Sequence, residues 1–315
     1  MLAFLQAELI PEIPLADWAN DAETYVTDRL DLDSTADALD AFIDLLASAL
    51  LAPPELLMVA ILAALAFFLS GGRIALLTVL GLLFIISLGL WEAAMETLTL
   101  VVVASLVSLA IGIPLGIVAA KSGRFEAAVR PILDVAQTMP AFVYLVPLVI
   151  LLSIGNPTAL IATVVFAMPP AVRLTMLGIQ QVPRDTVEAA HAFGATPWQT
   201  LFKVELPLSL RSIMAGVNQV IMLSLSMVVV AALAGAGGLG EPVVSGLSQL
   251  DVGTAFVGGV GIVIIAIILD RVTRGLERRD KGGISKALSG KRFNREPGSA
   301  APVGSGSASD GGSGG

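Results

Sequence analysis

Apolar residues are gathered along the chain into seven runs with hardly a charge inside them, at residues 55 to 70, 74 to 91, 97 to 120, 131 to 153, 157 to 176, 213 to 234 and 253 to 270. Their lengths approach or exceed the roughly 20 residues that a helix needs to cross about 30 Å of hydrocarbon. Each run is continuous rather than alternating, so its backbone groups are satisfied inside a helix and not across the strands of a closed barrel. The pattern predicts an all-α membrane protein of about seven transmembrane helices. The first run is short and follows Pro53-Pro54.

Two stretches break the monotony. Ahead of the first run, STADALDAFIDLLASALL sets Leu39, Phe42, Ile43, Leu46 and Leu50 at helical spacing behind Ser34, a good N-cap. This is an amphipathic helix expected at the outer membrane surface, where it packs and anchors, senses osmotic strength or docks a partner. Between the fifth and sixth runs lies the longest connection, about residues 177 to 212. Pro183 suits the first turn of a helix through TVEAAHAF, with Gly194 just past its end. Thr196, Pro197 and Gln199 form an N-cap, N1 and N3 set that starts a second helix. Leu206-Pro207 should turn the chain away from helix at the far end. Two short helices meeting at a glycine bend are predicted, with Trp198, Leu201 and Phe202 anchoring them to the membrane base.

Composition agrees with the span pattern: mean hydropathy is +0.87 and only 14% of residues are charged, against roughly 25% in soluble domains. Charge then orients the bundle. Every Lys and Arg except Arg29 is counted with the connections after spans 1, 3, 5 or 7, Arg173 near the end of span 5 among them, while the alternate connections contain none. The positive-inside rule puts the N-terminus outside and the C-terminus inside. The net charge of -8 is an outer-face property, since residues 1 to 55 hold twelve Asp and Glu against Arg29. That distribution offers no basic footprint for nucleic acid. MLAFLQAELIPEIP lacks the basic n-region of a signal peptide, and the tail from residue 282 is Gly/Ser-rich and expected to be disordered. The division expected is an acidic outer arm over 1 to 54, two accessory spans over 55 to 91, a core over 92 to 276 and a tail over 277 to 315.

Catalytic chemistry is sparsely supplied. There is no Cys and a single His, His191, which excludes thiolate and histidine-based metal centres. His191 reads as a polar contact rather than a pH switch. No G-x-x-x-x-G-K-[ST] occurs, so ATP is expected to bind another chain. GAGGLG at residues 235 to 240 satisfies G-x-G-x-x-G in form, but it follows a membrane span, and Asp251 stands too near for a ribose contact; a re-entrant or tightly packed outer loop is expected. Gly112 and Gly116 form a G-x-x-x-G suited to close helix packing against an unidentified neighbour. Polar residues inside spans are expensive and therefore informative: Asp134 and Gln137, then Asn218, Gln219, Ser224 and Ser226. Each serves either an interhelical hydrogen bond or a passage. Asp134 also keeps open a secondary transporter working without ATP, and the acidic arm keeps open a membrane scaffold.

The run Glu188, Ala189, Ala190, with Gly194 four residues on and Leu206-Pro207 beyond, resembles the EAA signature of ABC-importer permeases. MPAFVYLVP, MPPAVRLTMLGIQQVP, FGATPWQTLFKVELPL and IMAGVNQVIMLSLSMVVVAALAGAGGLG together resemble the ProW-type permeases of glycine betaine and proline betaine uptake, from about Leu90 to Arg274. The resemblance implies a type I, MetI-like permease core in a bacterial inner membrane. It implies that Glu188, Ala189, Ala190 and Gly194 lie on a coupling helix seated in an ATPase subunit, with Leu206-Pro207 ending the return to the membrane. It further implies two ATPase subunits that hold ATP and Mg, an external substrate-binding protein and a second permease copy, and no catalytic residue or cofactor in this chain. Choline or carnitine is the alternative substrate. A betaine has an ammonium that aromatic faces hold and a carboxylate that amides and hydroxyls hold, which makes Phe142, Tyr144, Asn218, Gln219 and Ser224 the candidate path residues.

Overall fold

The computed structural model describes residues 32 to 289 continuously, with Pro14, Asp17, Trp18, Asp21, Thr24, Tyr25, Thr27 and Arg29 ahead of them; side chains are described to Gly275. The first thirteen residues of the acidic arm, several more ahead of residue 32, and the Gly/Ser-rich end lie outside the described residues. The chain divides into two units, Met1–Glu277 and Arg278–Gly315. In the second unit the backbone is helical as far as Ser289, past residue 282 where a structureless tail was expected to begin.

Among the described residues every regular element is helical. The chain runs through α1 (Leu32–Leu51), α2 (Glu55–Ser70), α3 (Gly72–Ser87), α4 (Trp91–Lys121), α5 (Gly123–Thr138), α6 (Ala141–Leu152) and α7 (Asn156–Gln180). It continues through α8 (Arg184–Ala192), α9 (Pro197–Thr200), a π-turn (Leu201–Glu205), α10 (Leu206–Ser226), α11 (Val228–Leu233), α12 (Gly240–Gln249) and α13 (Val252–Ser289). All seven apolar runs fall on these helices, but not all as straight spans. Four helical stretches are long and apolar enough to cross a membrane: Trp91–Lys121, Asn156–Gln180, Pro197–Leu233 and Val252–Gly275. The run 131 to 153 is broken at Met139-Pro140 into α5 and α6, which are bent by 96°. Pro140 cannot donate to a continuing ladder and biases Met139 to the extended conformation it adopts. A similar bend of 98° after Pro53-Pro54 separates α1 from α2. Helix α3 has 16 residues, about 24 Å, and is shorter than an average hydrocarbon core.

The centre of the bundle is α4, α7 and α10, which pack through small residues. A Cβ added at Gly112 would lie 2.7 Å from Ala171 Cβ, one at Gly116 would lie 2.7 Å from Thr175 Cβ, and one at Gly178 would lie 2.7 Å from Ser212 Cβ. Lipid offers no hydrophobic drive to bring helices together, so close backbone approach and interhelical hydrogen bonds take its place. Ser105 Oγ donates to Ser224 Oγ (3.2 Å) between α4 and α10, and Ser212 Oγ donates to the Leu174 carbonyl (2.7 Å) between α10 and α7.

Helices α2, α3 and α13 flank α4 through a cluster that includes Met58, Leu82, Ile85, Met95 and Ile265, all buried. Ser70 Oγ donates to the Val272 carbonyl (2.8 Å) and ties α2 to α13. Helix α1 packs across α4 and α7, burying Ala36, Ile43 and Ala47, while Asn156 Nδ2 donates to Asp40 Oδ1 (3.1 Å). Ser34 lies inside α1 rather than capping it, because the helix already includes Leu32, and Phe42 is exposed rather than packed with Ile43.

Candidate functional site

The connection between α7 and α10 folds as two short helices around a glycine. Pro183 precedes α8, whose backbone it can begin without losing a hydrogen bond, and Gly194 turns the chain at φ 80°, a left-handed value costly for a side chain with a Cβ. Thr196 then caps α9: its Oγ1 accepts from Gln199 N (3.4 Å), and Gln199 Oε1 accepts from Thr196 N (2.9 Å), a complete capping box. Glu188, Ala189 and Gly194 are exposed, Ala190 half-buried, and His191 Nδ1 lies 3.2 Å from the Ala195 carbonyl.

Two details differ from the sequence expectation. The first is that Leu206-Pro207 does not turn the chain out of helix. Pro207 falls in the first turn of α10, and the preceding π-turn keeps the path helical from Pro197 to Ser226. A proline ring clashes with the carbonyl four residues before it, here Lys203, and the wider π-turn relieves that clash while Leu206 N bonds to Leu201 O. The second is that Leu201 alone of the predicted anchors is buried. Trp198 and Phe202 are 71% and 59% exposed, stacked on each other at 5.9 Å, and Phe193 is 93% exposed.

Ion pairs cluster at this end of the bundle. Glu205, the last residue of the π-turn, is buried and faces Lys121 at the end of α4, an ion pair rather than a directional hydrogen bond. Glu126 of α5 pairs with Arg130 and accepts from Gln180 Nε2 (3.0 Å) on α7. Asp134 of α5 pairs with Arg173, which lies inside α7 and not in the loop beyond it, where the charge count had placed it. Spacing makes the Glu126–Arg130 pair legible in sequence; the contacts between helices have no local signal.

The five candidate path residues are not gathered at one point. Phe142 and Tyr144 lie on α6 and Asn218, Gln219 and Ser224 on α10; both helices pack on α7 and share little surface with each other. Phe142 and Gln219 are exposed. Tyr144 packs against Ala162 and Met227, and its buried hydroxyl has no protein partner; the same is true of Asn218 Oδ1. Ser224 is buried and bonded to Ser105. Gln137 is exposed beside Asp134 on α5, and the Ser226 hydroxyl is returned to its own helix at Leu223 O (2.7 Å).

The glycine-rich turn after α11 is filled by protein. Leu239 N donates to Thr97 Oγ1 (2.8 Å), and a Cβ at Gly237 would lie 2.7 Å from Glu96 Oε2. A helix, α12, does follow this turn, but the turn closes on α4 and leaves no cradle for a dinucleotide.

The family model for the binding-protein-dependent transport system inner membrane component matches residues 112–281. The chain is 45% identical over 274 residues to the glycine betaine transport system permease protein OpuAB of Bacillus subtilis (strain 168), which covers 86% of this chain and 97% of that protein. It is 46% identical over 274 residues to the glycine betaine/proline betaine transport system permease protein ProW of Escherichia coli (strain K12), over 86% and 77% of the two chains. A chain of the MetNI methionine ABC transporter in an inward facing conformation superposes with a TM-score of 0.53 at 24% identity, over 61% of this chain and 95% of that one, a likeness of fold. A bundle of long apolar helices with its charged helix pair on the basic side, matched by this family over more than half its length, places the chain among the binding-protein-dependent transport system inner membrane components: it is a multi-pass ABC transporter permease subunit.

Proposed function

We propose that the chain is the permease of an ATP-driven importer for quaternary ammonium compatible solutes of the glycine betaine and proline betaine class, serving osmoprotection. The substrate class follows from the two relatives above, which are a glycine betaine permease and a glycine betaine/proline betaine permease. Two copies of the chain pair with two ATPase subunits, which hold ATP and Mg, and a substrate-binding protein delivers the solute from outside. Glu188, Ala189, Ala190 and Gly194 form the surface seated on the ATPase, joined by the exposed aromatic group of Phe193, Trp198 and Phe202. Exposed aromatic anchors of this kind are what a docking surface needs and what water disfavours.

The observation that carries the coupling role is the helical continuity from Pro197 through Leu206-Pro207 to Ser226. Closure of the ATPases displaces α8 and α9, and the rigid path passes that displacement to α10 without a flexible joint. The test is uptake of labelled glycine betaine by proteoliposomes holding the chain, its ATPase and its binding protein. Wild type is expected to accumulate solute only with ATP. Gly194→Val, which forces a β-branched residue to φ 80°, is expected to insert and still permit ATP hydrolysis while uptake falls about tenfold or more. Uptake without ATP would make the chain a secondary transporter, and uptake at the wild-type rate by the variant would remove Gly194 from the coupling role.

A further inference from the structure

Charge on α5 and α7 is arranged as a strip. Glu126, Arg130 and Asp134 stand four residues apart on one face of α5, followed one turn later by Gln137 and Thr138, whose hydroxyl bonds to the Asp134 carbonyl (2.9 Å). Two contacts tie the strip to α7, Glu126 to Gln180 and Asp134 to Arg173. Between them lie eight residues on α5 and seven on α7, about 12 and 10 Å of helix rise, counted in opposite directions. The two helices therefore run antiparallel here. The Asp134–Arg173 pair sits about 10 Å in from the Gln180 end of α7, inside a membrane-spanning helix.

This pair is nevertheless open. Asp134 is 64% exposed and Arg173 35% exposed in their side chains. At that depth an open ion pair cannot face hydrocarbon, where ionisable groups are not stabilised, so it faces water or another copy of the chain across a water-lined space. The four charges Glu126, Arg130, Asp134 and Arg173 sum to zero, which suits a solute that is itself neutral overall but carries both signs.

We propose that Asp134 and Arg173 are the substrate-handling pair near the inner end of the passage, where a small zwitterion crosses by exchanging partners with them. This rests on the betaine reading above. The solute's carboxylate takes the place of Asp134 on the guanidinium, whose planar fork matches it bidentately. Its quaternary ammonium, having no N–H, meets the freed Asp134 carboxylate by charge alone, a contact that breaks readily when the solute moves on. Each protein charge keeps a partner of opposite sign as the solute passes. When the solute leaves, the pair closes again.

The experiment uses the assembled transporter in proteoliposomes, reading labelled glycine betaine uptake per ATP hydrolysed together with the melting temperature of the purified complex. Asp134→Asn and Arg173→Gln are each expected to lower uptake about tenfold or more, whereas Asp134→Glu stays within about threefold of wild type. The charge swap, Asp134→Arg with Arg173→Asp, is expected to regain the wild-type melting temperature and not the uptake, since an oriented site has its polarity reversed. A swap that restores both makes the pair a structural brace and overturns the proposal. If the swap does not fold, equal uptake by Asp134→Asn and Asp134→Glu overturns it, and a clear gap between them supports it. A wild-type assembly that moves no betaine overturns the substrate class first, an outcome distinct from any difference among variants.

Discussion

Glu205 puts a carboxylate that is 7% exposed against Lys121, itself 45% exposed. Removing the lysine leaves a charge with little water and no partner, which should destabilise the protein more than removing both. Lys121→Ala is expected to cost about 1 to 3 kcal/mol, less than a fully buried pair because Lys121 is half in solvent. Adding Glu205→Gln should recover part of that loss, as measured by thermal unfolding of the detergent-solubilised protein; no recovery would show that the pair carries no weight. At the opposite side of the bundle, Asp251 accepts from Thr254 Oγ1 (2.6 Å), Gly253 N (3.0 Å) and Thr254 N (3.3 Å) at the start of α13. These bonds, the Thr254 hydroxyl first, hold its carboxyl below the ordinary value of 3.8. A depressed value contributes stability above the unfolded value, and that contribution is lost as pH falls through the folded one. Thr254→Val should therefore lower the melting temperature near neutral pH and flatten its fall with acid, the variant and wild type converging once pH drops through the folded value; an unchanged pH profile would contradict this. Of these residues the sequence offered the capping box at Thr196, a matter of three neighbouring positions. It used Lys121 and Arg173 only for orientation and gave no partner for them or for Glu205, because those partners lie on other helices.

At the scale of elements, the G-x-x-x-G at Gly112 and Gly116 was legible as a close-packing device, yet its partner was not. The structure supplies α7: a Cβ at Gly116 would lie 2.7 Å from both Thr175 Cβ and the Val172 carbonyl. Backbone cannot yield as a flexible side chain does, so Gly116→Leu should force α4 from α7. A loss of folded protein or a fall of several degrees in melting temperature is expected, on the order of the 1 to 3 kcal/mol that overpacking costs. Gly123→Ala is the control, because nothing lies within 4 Å of a Cβ there. Similar melting temperatures for the two variants would contradict the packing account. Neither proline break matched its sequence reading, since the run 131 to 153 was expected as one span through Pro140 and Leu206-Pro207 was expected to leave helix. Pro140 ends α5 as its chemistry dictates, while Pro207 is absorbed into a helix by the π-turn before it. A proline restricts the residues beside it, and whether neighbouring turns relieve the clash depends on what they pack against; here Leu201 and Glu205 are buried and hold the π-turn in place.

For the molecule as a whole, the orientation rests on basic residues alone, and the absence of cysteine makes it testable. His191→Cys, on the exposed surface of α8, should react with a membrane-impermeant thiol reagent only from the cytoplasmic side. Ser248→Cys, exposed on α12, should react only from the outer side. Labelling of both from one side would reverse or break the assigned topology. What the chain determined by itself is what depends on local composition: that it lies in lipid, which segments are apolar enough to do so, which side carries the positive charge, and where the helix pair begins at its caps. Those signals act over one turn or one span, because hydrogen-bond periodicity, hydropathy and charge are properties of neighbouring residues. Tertiary structure decided which small residues face which helix, that one predicted span is bent in two, that the cytoplasmic helix pair continues into α10, and that Asp134 meets Arg173 across 39 positions of sequence. Those outcomes depend on packing between segments far apart in the chain, where a side chain's partner is set by shape and by the need to satisfy charge in a medium without water.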